Sequence, residues 1–276
     1  MDLGLKDKKI IITGASKGIG RSIALGFAQE GAHIALCARG EEALGATADE
    51  IRELGVKVHA ETCDVSDKEA LDGFLEASQA ALGGVDILIN NTSGFGVSDD
   101  EAGWQMGFDV DVMASVRATW KVVPWMQEAK GGSVIHISST SALEAGSPPP
   151  YAAAKAALIS HSKTLANNLA PFGIRVNCVA PGSIEFPGGM WETIKNVAPD
   201  QYGAIQDSIP FGRLGRPRRS QTPSSSWPPN GPVGSQASLF PWTAYSTRAI
   251  SNARRSWLRL IGSRLPHEVP PHDLDG

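Results

Sequence analysis

A tyrosine and a lysine stand one helical turn apart near the middle of the sequence. Tyr151 and Lys155 are separated by three alanines, and a spacing of four residues brings two side chains to the same face of an α-helix. An ammonium close to a phenol stabilises the phenolate, so the phenol can give a proton to a carbonyl oxygen or take one from a hydroxyl. The same spacing also occurs on ordinary exposed helix faces, so its meaning depends on what precedes it.

Two serines precede this pair at the end of an apolar, strand-like run. In Ile137-Ser138-Ser139, a serine hydroxyl at the strand end can hold a substrate oxygen and stabilise charge that develops on it. Ser139 and Ser138 are both candidates for this role. The serine that is not catalytic would be a turn-forming residue.

A glycine-rich segment joins the first predicted strand to the first predicted helix. It reads Thr13-Gly14-Ala15-Ser16-Lys17-Gly18-Ile19-Gly20. Glycines at such a turn let the backbone approach a pyrophosphate, and the helix N-terminus offers free N–H groups to the phosphates. The segment predicts a dinucleotide-binding loop, with candidate contacts at Gly14, Ser16, Lys17, Gly18, Ile19 and Gly20.

Several further motifs occur along the chain, and their order and spacing identify a family more specifically than any single motif does. The TGxxxGxG spacing, Asp64-Val65, the run from Val85 to Asn91, the YxxxK pair and Pro181-Gly182-Ser183-Ile184 resemble the short-chain dehydrogenase/reductase family from about Leu5 to Pro217. The resemblance implies hydride transfer between a nicotinamide dinucleotide and a ketone, aldehyde or alcohol, with Ser139, Tyr151 and Lys155 as catalytic residues. Ser139 matches the family's catalytic serine by its position after the strand, and Ser138 is the alternative if the connection to Tyr151 carries a deletion relative to the family. The resemblance also implies that these residues contact the cofactor: Asp64, Val65, Asn91, Tyr151, Lys155, Pro181, Gly182 and Ile184.

One catalytic position departs from the family pattern. The family's catalytic asparagine would fall at Asp111, where it normally braces a helix and holds a water that links the lysine to solvent. An aspartate can accept a hydrogen bond from such a water but cannot donate one through an amide. Its charge also acts on the lysine. We expect reduced activity, and the alternative hypothesis is a protein that binds a dinucleotide but is catalytically impaired.

The end of the second predicted strand bears on the choice of cofactor. Members that prefer NAD usually place an acid there for the ribose hydroxyls, whereas this chain has Ala38 followed by Arg39. Arg39 and Lys17 could neutralise a 2′-phosphate, which favours NADP(H) over NAD. The alternative is that both are ordinary solvated surface charges.

Short β-rich runs alternate with helical patterns over the first two-thirds of the chain, which predicts an α/β, doubly wound parallel sheet of Rossmann type with helices on both faces. The predicted strands are Lys9–Thr13, His33–Ala38, Val56–Cys63, Val85–Asn90, Ser133–Ile137 and Ile174–Val179. The predicted helices are Arg21–Gln29, Glu41–Leu54, Asp67–Leu82, Glu101–Ala129 and Tyr151–Leu169. We expect Pro124 to kink the long helix or to end it early.

The sequence pattern changes after Pro217. We therefore divide the chain into a catalytic domain, residues 1–217, and a tail rich in Pro, Ser and Arg, residues 218–276, which we expect to be poorly ordered. The last helix and strand of the fold are then missing or disordered. The codons from Ser220 to Ala237 can be written with synonymous third bases and then read in a frame shifted by one base. The shifted frame can read VANAVVFLASERASWVTG, which resembles the last helix and strand of the family. We hypothesise a single-base deletion near the Pro217 codon, which resequencing the gene would test.

The composition of the chain argues against a membrane protein, a secreted protein and a metal-binding protein. Hydrophobic residues make up 42% of the chain, the start lacks the layout of a secretory signal, and no apolar run is long enough to span a bilayer, so we expect a cytoplasmic protein with no membrane partner. The three cysteines, Cys37, Cys63 and Cys178, have no metal-ligand spacing and are expected to be reduced and buried, and we expect no metal site.

Charge is divided unevenly between the two parts. Residues 1–215 carry 17 basic and 26 acidic residues, a balance of −9, whereas residues 216–276 carry eight arginines and three acidic residues, a balance of +5. We interpret the tail arginines as a consequence of the shifted frame and expect no nucleic-acid partner. The expected partners are a small carbonyl or alcohol substrate and a second copy of the chain. The resemblance implies a homodimer formed by the long helix and the Tyr151 helix, while the displaced tail puts a tetramer interface in doubt.

Overall fold

The strands of the computed structural model, which describes residues 3–217 and 239–242, all run parallel in one sheet. The strands are β1 (Lys9–Thr13), β2 (His33–Ala38), β3 (Val58–Thr62), β4 (Ile87–Asn90), β5 (Gly132–Ile137), β6 (Ile174–Pro181) and β7 (Leu239–Trp242). Their order in the sheet is β3-β2-β1-β4-β5-β6-β7. The predicted doubly wound Rossmann-type fold is confirmed.

Helices connect the strands and cover the sheet. They are α1 (Gly18–Gln29), α2 (Glu41–Arg52), α3 (Lys68–Leu82), α4 (Glu101–Met106), α5 (Ala114–Glu128), α6 (Pro149–Leu169), α7 (Met190–Val197) and α8 (Pro199–Ser208). Local chemistry sets several of these bounds. The Asp67 carboxylate accepts a hydrogen bond of 3.0 Å from the N–H of Ala70 at the start of α3, and Gly83, with φ of 75°, ends the helix in the left-handed region.

The core lies on both faces of the sheet. Ile10 and Ile12 of β1 belong to one apolar cluster and Ile11 to the other, and all three side chains are fully buried. Successive side chains of a strand point to opposite faces, so a strand covered on both sides needs a continuous apolar run. This explains why β1 shows no alternation of polar and apolar residues.

The long helix predicted over 101–129 is continuous but not uniform. A π-helical turn, Gly107–Met113, joins α4 to α5. Pro124 lies inside α5 and does not end it, contrary to the stronger form of our expectation. Pro124 is exposed, so water can satisfy the carbonyl that loses its N–H partner. Helix α6 begins at Pro149 rather than at Tyr151, since proline is well suited to the first turn of a helix.

The edge of the sheet next to β6 has one strand more than the sequence analysis expected. β7 pairs with β6 in parallel, with Cys178 opposite Leu239 and Pro181 opposite Trp242. The strand that we expected to be missing or disordered is therefore present as four residues at the edge of the sheet. The rest of the predicted tail, including the segment where the last helix was expected, lies outside the described residues.

Within the described residues, no helix is long and apolar enough to cross a membrane, and no group of three or more potential ligands is arranged to hold a metal ion. The three cysteines are free and buried, as expected.

Candidate active site

A cleft of about 1010 Å³ opens at the carboxyl edge of the sheet, beside β1 and β4. In the sheet, β1 has β2 on one side and β4 on the other, so the strand order reverses between β1 and β4. This switch point is the position where an open α/β sheet binds its ligands. Nine residues predicted to contact a cofactor line this cleft together: Gly14, Ser16, Lys17, Ile19, Gly20, Arg39, Asp64, Val65 and Asn91.

The glycine-rich loop has no room for side chains at its close approaches. Gly14 and Gly18 have φ of 67° and 60°, in the left-handed region that favours glycine. A methyl group at Gly20 would overlap the carbonyl oxygen of Gly14 and lie 2.5 Å from Nδ2 of Asn91. The Asn91 amide donates hydrogen bonds of 2.8 Å to Gly14 O and 3.2 Å to Thr13 O. The side chain that follows β4 therefore fixes the loop that follows β1, and this cradle fits a dinucleotide pyrophosphate.

We expect Gly20→Ala to destabilise the protein by about 1–3 kcal/mol and to weaken dinucleotide binding, because the added methyl group displaces both Gly14 and Asn91. Chemical denaturation and NADPH fluorescence titration measure the two effects. Gly45→Ala is the matched control, since Gly45 lies inside α2 with no atom within 4 Å of the added carbon, and we expect equal or higher stability there. Equal behaviour of the two variants would contradict the close packing of the loop.

An aspartate and an arginine face each other across the far end of the cleft. The Asp64 carboxylate accepts hydrogen bonds from the hydroxyl (2.7 Å) and the N–H (3.0 Å) of Ser66. These hydrogen bonds, with a smaller contribution from the nearby Arg39 guanidinium, lower the pKa of Asp64. A charged carboxylate and a guanidinium thus lie after β3 and β2, at the edge of the sheet where the sequence analysis placed the ribose of a dinucleotide.

Lys155 and Asp111 form a buried ion pair. Nζ of Lys155 lies 2.7 Å from Oδ1 of Asp111, and the two side chains are 3% and 0% exposed. The ammonium also donates to Ile137 O at 3.0 Å, while Oδ2 of Asp111 accepts from the N–H of Gly94 at 2.8 Å. Burial acts to lower the pKa of Lys155, but the Asp111 carboxylate opposes it and the pKa is raised overall. The π-helical turn presents Asp111 to Lys155, and such turns often occur at functional sites.

Tyr151 lies between this ion pair and an aromatic ring that the sequence analysis did not single out. The rings of Tyr151 and Phe95 are stacked with centroids 5.7 Å apart, and Nζ of Lys155 lies 5.9 Å from the Tyr151 ring centroid. Phe95 also lines the cleft and has φ of 49°, an unusual value for a bulky residue. Tyr151 is therefore next to the cleft through Phe95, but Tyr151 and Lys155, both predicted as cofactor contacts, do not themselves line it.

The two candidate serines have different surroundings. The Ser138 hydroxyl is buried and donates a hydrogen bond of 2.7 Å to the carbonyl oxygen of Lys155. The Ser139 hydroxyl accepts from the N–H of Ser141 at 3.2 Å and caps a short 3₁₀ turn. The Ser138 hydroxyl uses its proton in a hydrogen bond that links the end of β5 to α6. The Ser139 hydroxyl only accepts in its contact with Ser141, so its own proton is not used there.

The loop after β6 packs on the glycine-rich loop. The backbone of Ser183 and Glu185 bonds to Gly215, so the PGxI segment is fixed to the chain that follows α8. Pro181, Gly182 and Ile184, predicted as cofactor contacts, do not line the cleft, whereas Phe186 does. A methyl group at Gly18 would lie 2.5 Å from the Phe186 ring.

Lys17 takes part in the same contact between loops, since its ammonium donates to Gly188 O at 3.0 Å. The sequence analysis missed the closeness of these two loops. The only indication in the sequence was a large ring, Phe186, in one loop and a residue without a side chain, Gly18, in the other.

A parallel sheet with a glycine-lined cleft at its switch point, and a tyrosine beside a fixed lysine near that cleft, is the arrangement found in the class of nicotinamide-dependent oxidoreductases. The model of the short chain dehydrogenase family matches residues 8–196. The chain therefore belongs to the short-chain dehydrogenase/reductase family.

Individual relatives agree with this assignment. The chain is similar to a subunit of the (2S)-[(R)-hydroxy(phenyl)methyl]succinyl-CoA dehydrogenase of Thauera aromatica, with 33% identity over 78% of this chain and 86% of that protein. Among solved structures it is similar to L-sorbose reductase from Gluconobacter frateurii complexed with NADPH and L-sorbose, with a TM-score of 0.80, 34% identity and coverage of 90% and 99% of the two chains. It is also similar to an NAD⁺-bound xylitol dehydrogenase, with a TM-score of 0.78, 26% identity and coverage of 87% and 99%.

Proposed function

We propose that the protein interconverts a ketone or aldehyde and the corresponding alcohol with NADP(H), and that Tyr151 is the acid and base of the reaction. The observation that carries this proposal is the position of Tyr151, whose ring is stacked on Phe95 of the cleft wall while the ammonium of Lys155, held by Ile137 O, lies near the same ring. When bound, the cofactor supplies or accepts the hydride.

Each residue of the site has a distinct part in the proposed reaction. The Tyr151 hydroxyl donates its proton to the carbonyl oxygen during reduction and takes it back during oxidation. The Ser139 hydroxyl holds the same oxygen and stabilises the charge that develops on it. The Lys155 ammonium, held by Ile137 O, stabilises the phenolate of Tyr151. Gly14, Gly18 and Gly20 hold the pyrophosphate through their backbone.

The preference for NADP(H) rests on the charges at the end of β2. Arg39 and Lys17 line the cleft, and Ala38 stands where an acid would exclude a 2′-phosphate. Of the two similar structures described above, one contains NADPH and the other NAD⁺, so the proposed preference for NADP(H) depends on the residues of this chain.

We expect a higher kcat/KM with NADPH than with NADH, and we expect Arg39→Glu to lower kcat/KM for NADPH by roughly 10–100-fold. The loss corresponds to the ~1.5–3 kcal/mol of a hydrogen bond to a charged group. Steady-state rates with both cofactors check this result. Arg52→Glu at the end of α2 is the control, because Arg52 is exposed and pairs with Asp49 away from the cleft. A wild-type enzyme that favours NADH would contradict the assignment.

The buried ion pair favours a second candidate function, a dinucleotide-binding protein without useful turnover. Asp111 compensates the charge of Lys155 that the reaction uses to stabilise the phenolate. Titrating NADPH fluorescence and then screening ketone reduction separates the two candidates. Binding with turnover supports the oxidoreductase, binding alone supports the impaired protein, and absence of binding contradicts both.

We also propose that the protein works as a cytoplasmic homodimer on a small-molecule substrate. Trp104 and Phe108 stack at a centroid distance of 6.0 Å, and Trp120 of α5 is 64% exposed. Exposed aromatic rings along one helix are typical of an interface between subunits. A monomeric mass by light scattering would contradict the homodimer.

A further inference from the structure

One aromatic ring contacts Tyr151 and also faces the cleft. Phe95 lies in the loop after β4, and its ring is stacked nearly parallel to the ring of Tyr151, with 17° between the planes and 5.7 Å between the centroids. Phe95 also lines the cleft and is 45% exposed, so part of its ring is open to a molecule in the cleft. The surface next to the proposed proton donor is therefore aromatic.

The loop that carries Phe95 is held in place by close backbone contacts. A methyl group at Gly94 would lie 2.8 Å from Met106 O, and one at Gly96 would overlap the backbone of α4. Because neither glycine has a side chain, the loop packs directly on that helix. The N–H of Gly94 also donates to the buried carboxylate of Asp111 at 2.8 Å. Both neighbours of Phe95 in the chain are thus fixed.

Phe95 has a backbone conformation that an aromatic residue rarely adopts. Its φ of 49° lies in the left-handed region, where a side chain crowds its own backbone. Such a conformation persists only where the surrounding contacts impose it, and it is found most often at functional sites. The contacts of Gly94 and Gly96 impose it here. The ring is therefore presented to the cleft in one orientation before a ligand binds.

The cleft wall next to Phe95 is apolar. Met106 and Val110 line the cleft, and a methyl group at Gly94 would lie 3.1 Å from the side chain of each. Two polar residues, Gln105 and Asp109, line the cleft on the same helical segment. The part of the wall that adjoins the stacked ring is suited to an apolar group.

The stacking determines what a substrate meets beside its carbonyl group. During the proposed reaction the substrate oxygen comes within about 3 Å of the Tyr151 hydroxyl. Since the Tyr151 ring is stacked on Phe95, a substituent on the carbonyl carbon meets the open part of the Phe95 ring. A flat aromatic substituent can stack on that ring, whereas a saturated ring or a hydroxylated chain cannot.

We propose that Phe95 determines specificity for ketones, aldehydes and the corresponding alcohols that carry an aromatic ring on the carbonyl carbon. This inference rests on the proposed function and names its substrate class. The substrate ring stacks on Phe95 while the oxygen accepts the proton of Tyr151. Because the loop is fixed beforehand, little conformational entropy is lost when the stack forms. A hydroxylated ketone, held by Gln105 and Asp109, is the class that the experiment must exclude.

The test compares acetophenone with cyclohexyl methyl ketone, which differ in whether the ring on the carbonyl carbon is aromatic or saturated. Their intrinsic reactivities cancel when the ratio of their kcat/KM values is compared between protein variants. Phe95→Leu keeps an apolar side chain without a ring, so the ratio of acetophenone to cyclohexyl methyl ketone should fall by about 3–10-fold. Phe95→Tyr keeps the ring and should keep the ratio within about twofold of the wild type.

Phe172 supplies the matched control. It is 47% exposed, close to the 45% of Phe95, and does not line the cleft, so Phe172→Leu should leave the ratio unchanged. Circular dichroism verifies that the three variants fold. An unchanged ratio in Phe95→Leu would overturn the proposal. An equal loss of kcat/KM with acetophenone and hydroxyacetone in that variant, or reduction of hydroxyacetone without acetophenone by the wild type, would also overturn it.

A binding measurement distinguishes failure of this proposal from failure of the proposed function. Saturation-transfer NMR of acetophenone with the full-length protein and NADP⁺ requires no turnover. We expect strong transfer to the aromatic protons in the wild type and Phe95→Tyr, and markedly weaker transfer in Phe95→Leu. If the wild type reduces no ketone, the proposed function fails, but this signal still decides the role of Phe95. A signal that is absent from the wild type or equal in Phe95→Leu would overturn that role.

Discussion

Tyr151→Phe is expected to lower kcat for carbonyl reduction by about 10²–10⁴-fold while leaving the affinity for NADPH within about twofold. The substitution removes only the hydroxyl. The ring keeps its stacking on Phe95 and its position above Lys155, so the fold and the cleft are preserved. Initial rates with a ketone substrate and a fluorescence titration with NADPH measure the two quantities separately.

A second tyrosine supplies the control for this experiment. Tyr202 is buried against Ile209 and Leu214, and its hydroxyl donates to Glu185 at 3.1 Å. Tyr202→Phe removes a hydroxyl of the same kind, so we expect a stability loss of about 1 kcal/mol with little change in kcat. If Tyr151→Phe kept the wild-type rate, the chemistry proposed for the site would be wrong.

Asp111→Asn is expected to raise kcat and to lower stability at the same time. The carboxylate now neutralises an ammonium that is 3% exposed, and its removal leaves the charge of Lys155 free to act on Tyr151. Removing one partner of a buried ion pair costs about 3–5 kcal/mol, and an amide that still accepts one hydrogen bond should place the cost near the lower end. Steady-state kinetics and urea denaturation measure the two effects.

The pH dependence of stability gives this prediction a second readout. The pKa of Lys155 in the folded protein is raised, so the pair stabilises the fold fully below the unfolded value of about 10.5 and loses this contribution as the pH rises through the folded value. In Asp111→Asn, burial, the largest influence on Lys155, is no longer opposed by the carboxylate, so we expect its folded pKa to fall below the unfolded value. The stability of the variant should therefore rise as the pH rises through this lowered value, because the unfolded chain then binds more protons than the folded one, whereas the stability of the wild type falls at high pH.

A surface pair is the control for Asp111. Asp72 pairs with Lys68 at 2.8 Å on an exposed side of α3, and Asp72→Asn should change stability by less than about 0.5 kcal/mol and leave kcat unchanged. An unchanged or lower kcat in Asp111→Asn would contradict the view that the aspartate restrains the reaction.

Much of the fold could be predicted because local pattern and tertiary structure agree. β1 is bounded as predicted, since a run of isoleucines ahead of a glycine turn fits a strand buried on both faces. The cleft followed from the spacing of Gly14, Gly18 and Gly20, because close backbone approach requires glycine at defined positions.

The remaining features depend on contacts between distant segments. Phe95, in the loop after β4, contacts Tyr151, and Phe186, in the loop after β6, contacts Gly18. Both contacts join segments far apart in sequence, so no local pattern could predict them. The sequence identified Asp111 as a departure, but not that a π-helical turn brings it to 2.7 Å from Lys155. β7 could not be expected, because Leu239–Trp242 follows a stretch without strand periodicity and finds its partner through the free edge of β6.

The most direct test of the account follows a single hydride. NADPH carrying deuterium at the transferable position of the nicotinamide is incubated with a ketone and either the wild-type protein or Tyr151→Phe. The alcohol is then analysed by mass spectrometry. We predict that the wild type places deuterium on the carbinol carbon and that Tyr151→Phe does so far more slowly. Deuterated alcohol formed equally fast by both proteins would contradict the assignment of Tyr151 as the proton donor.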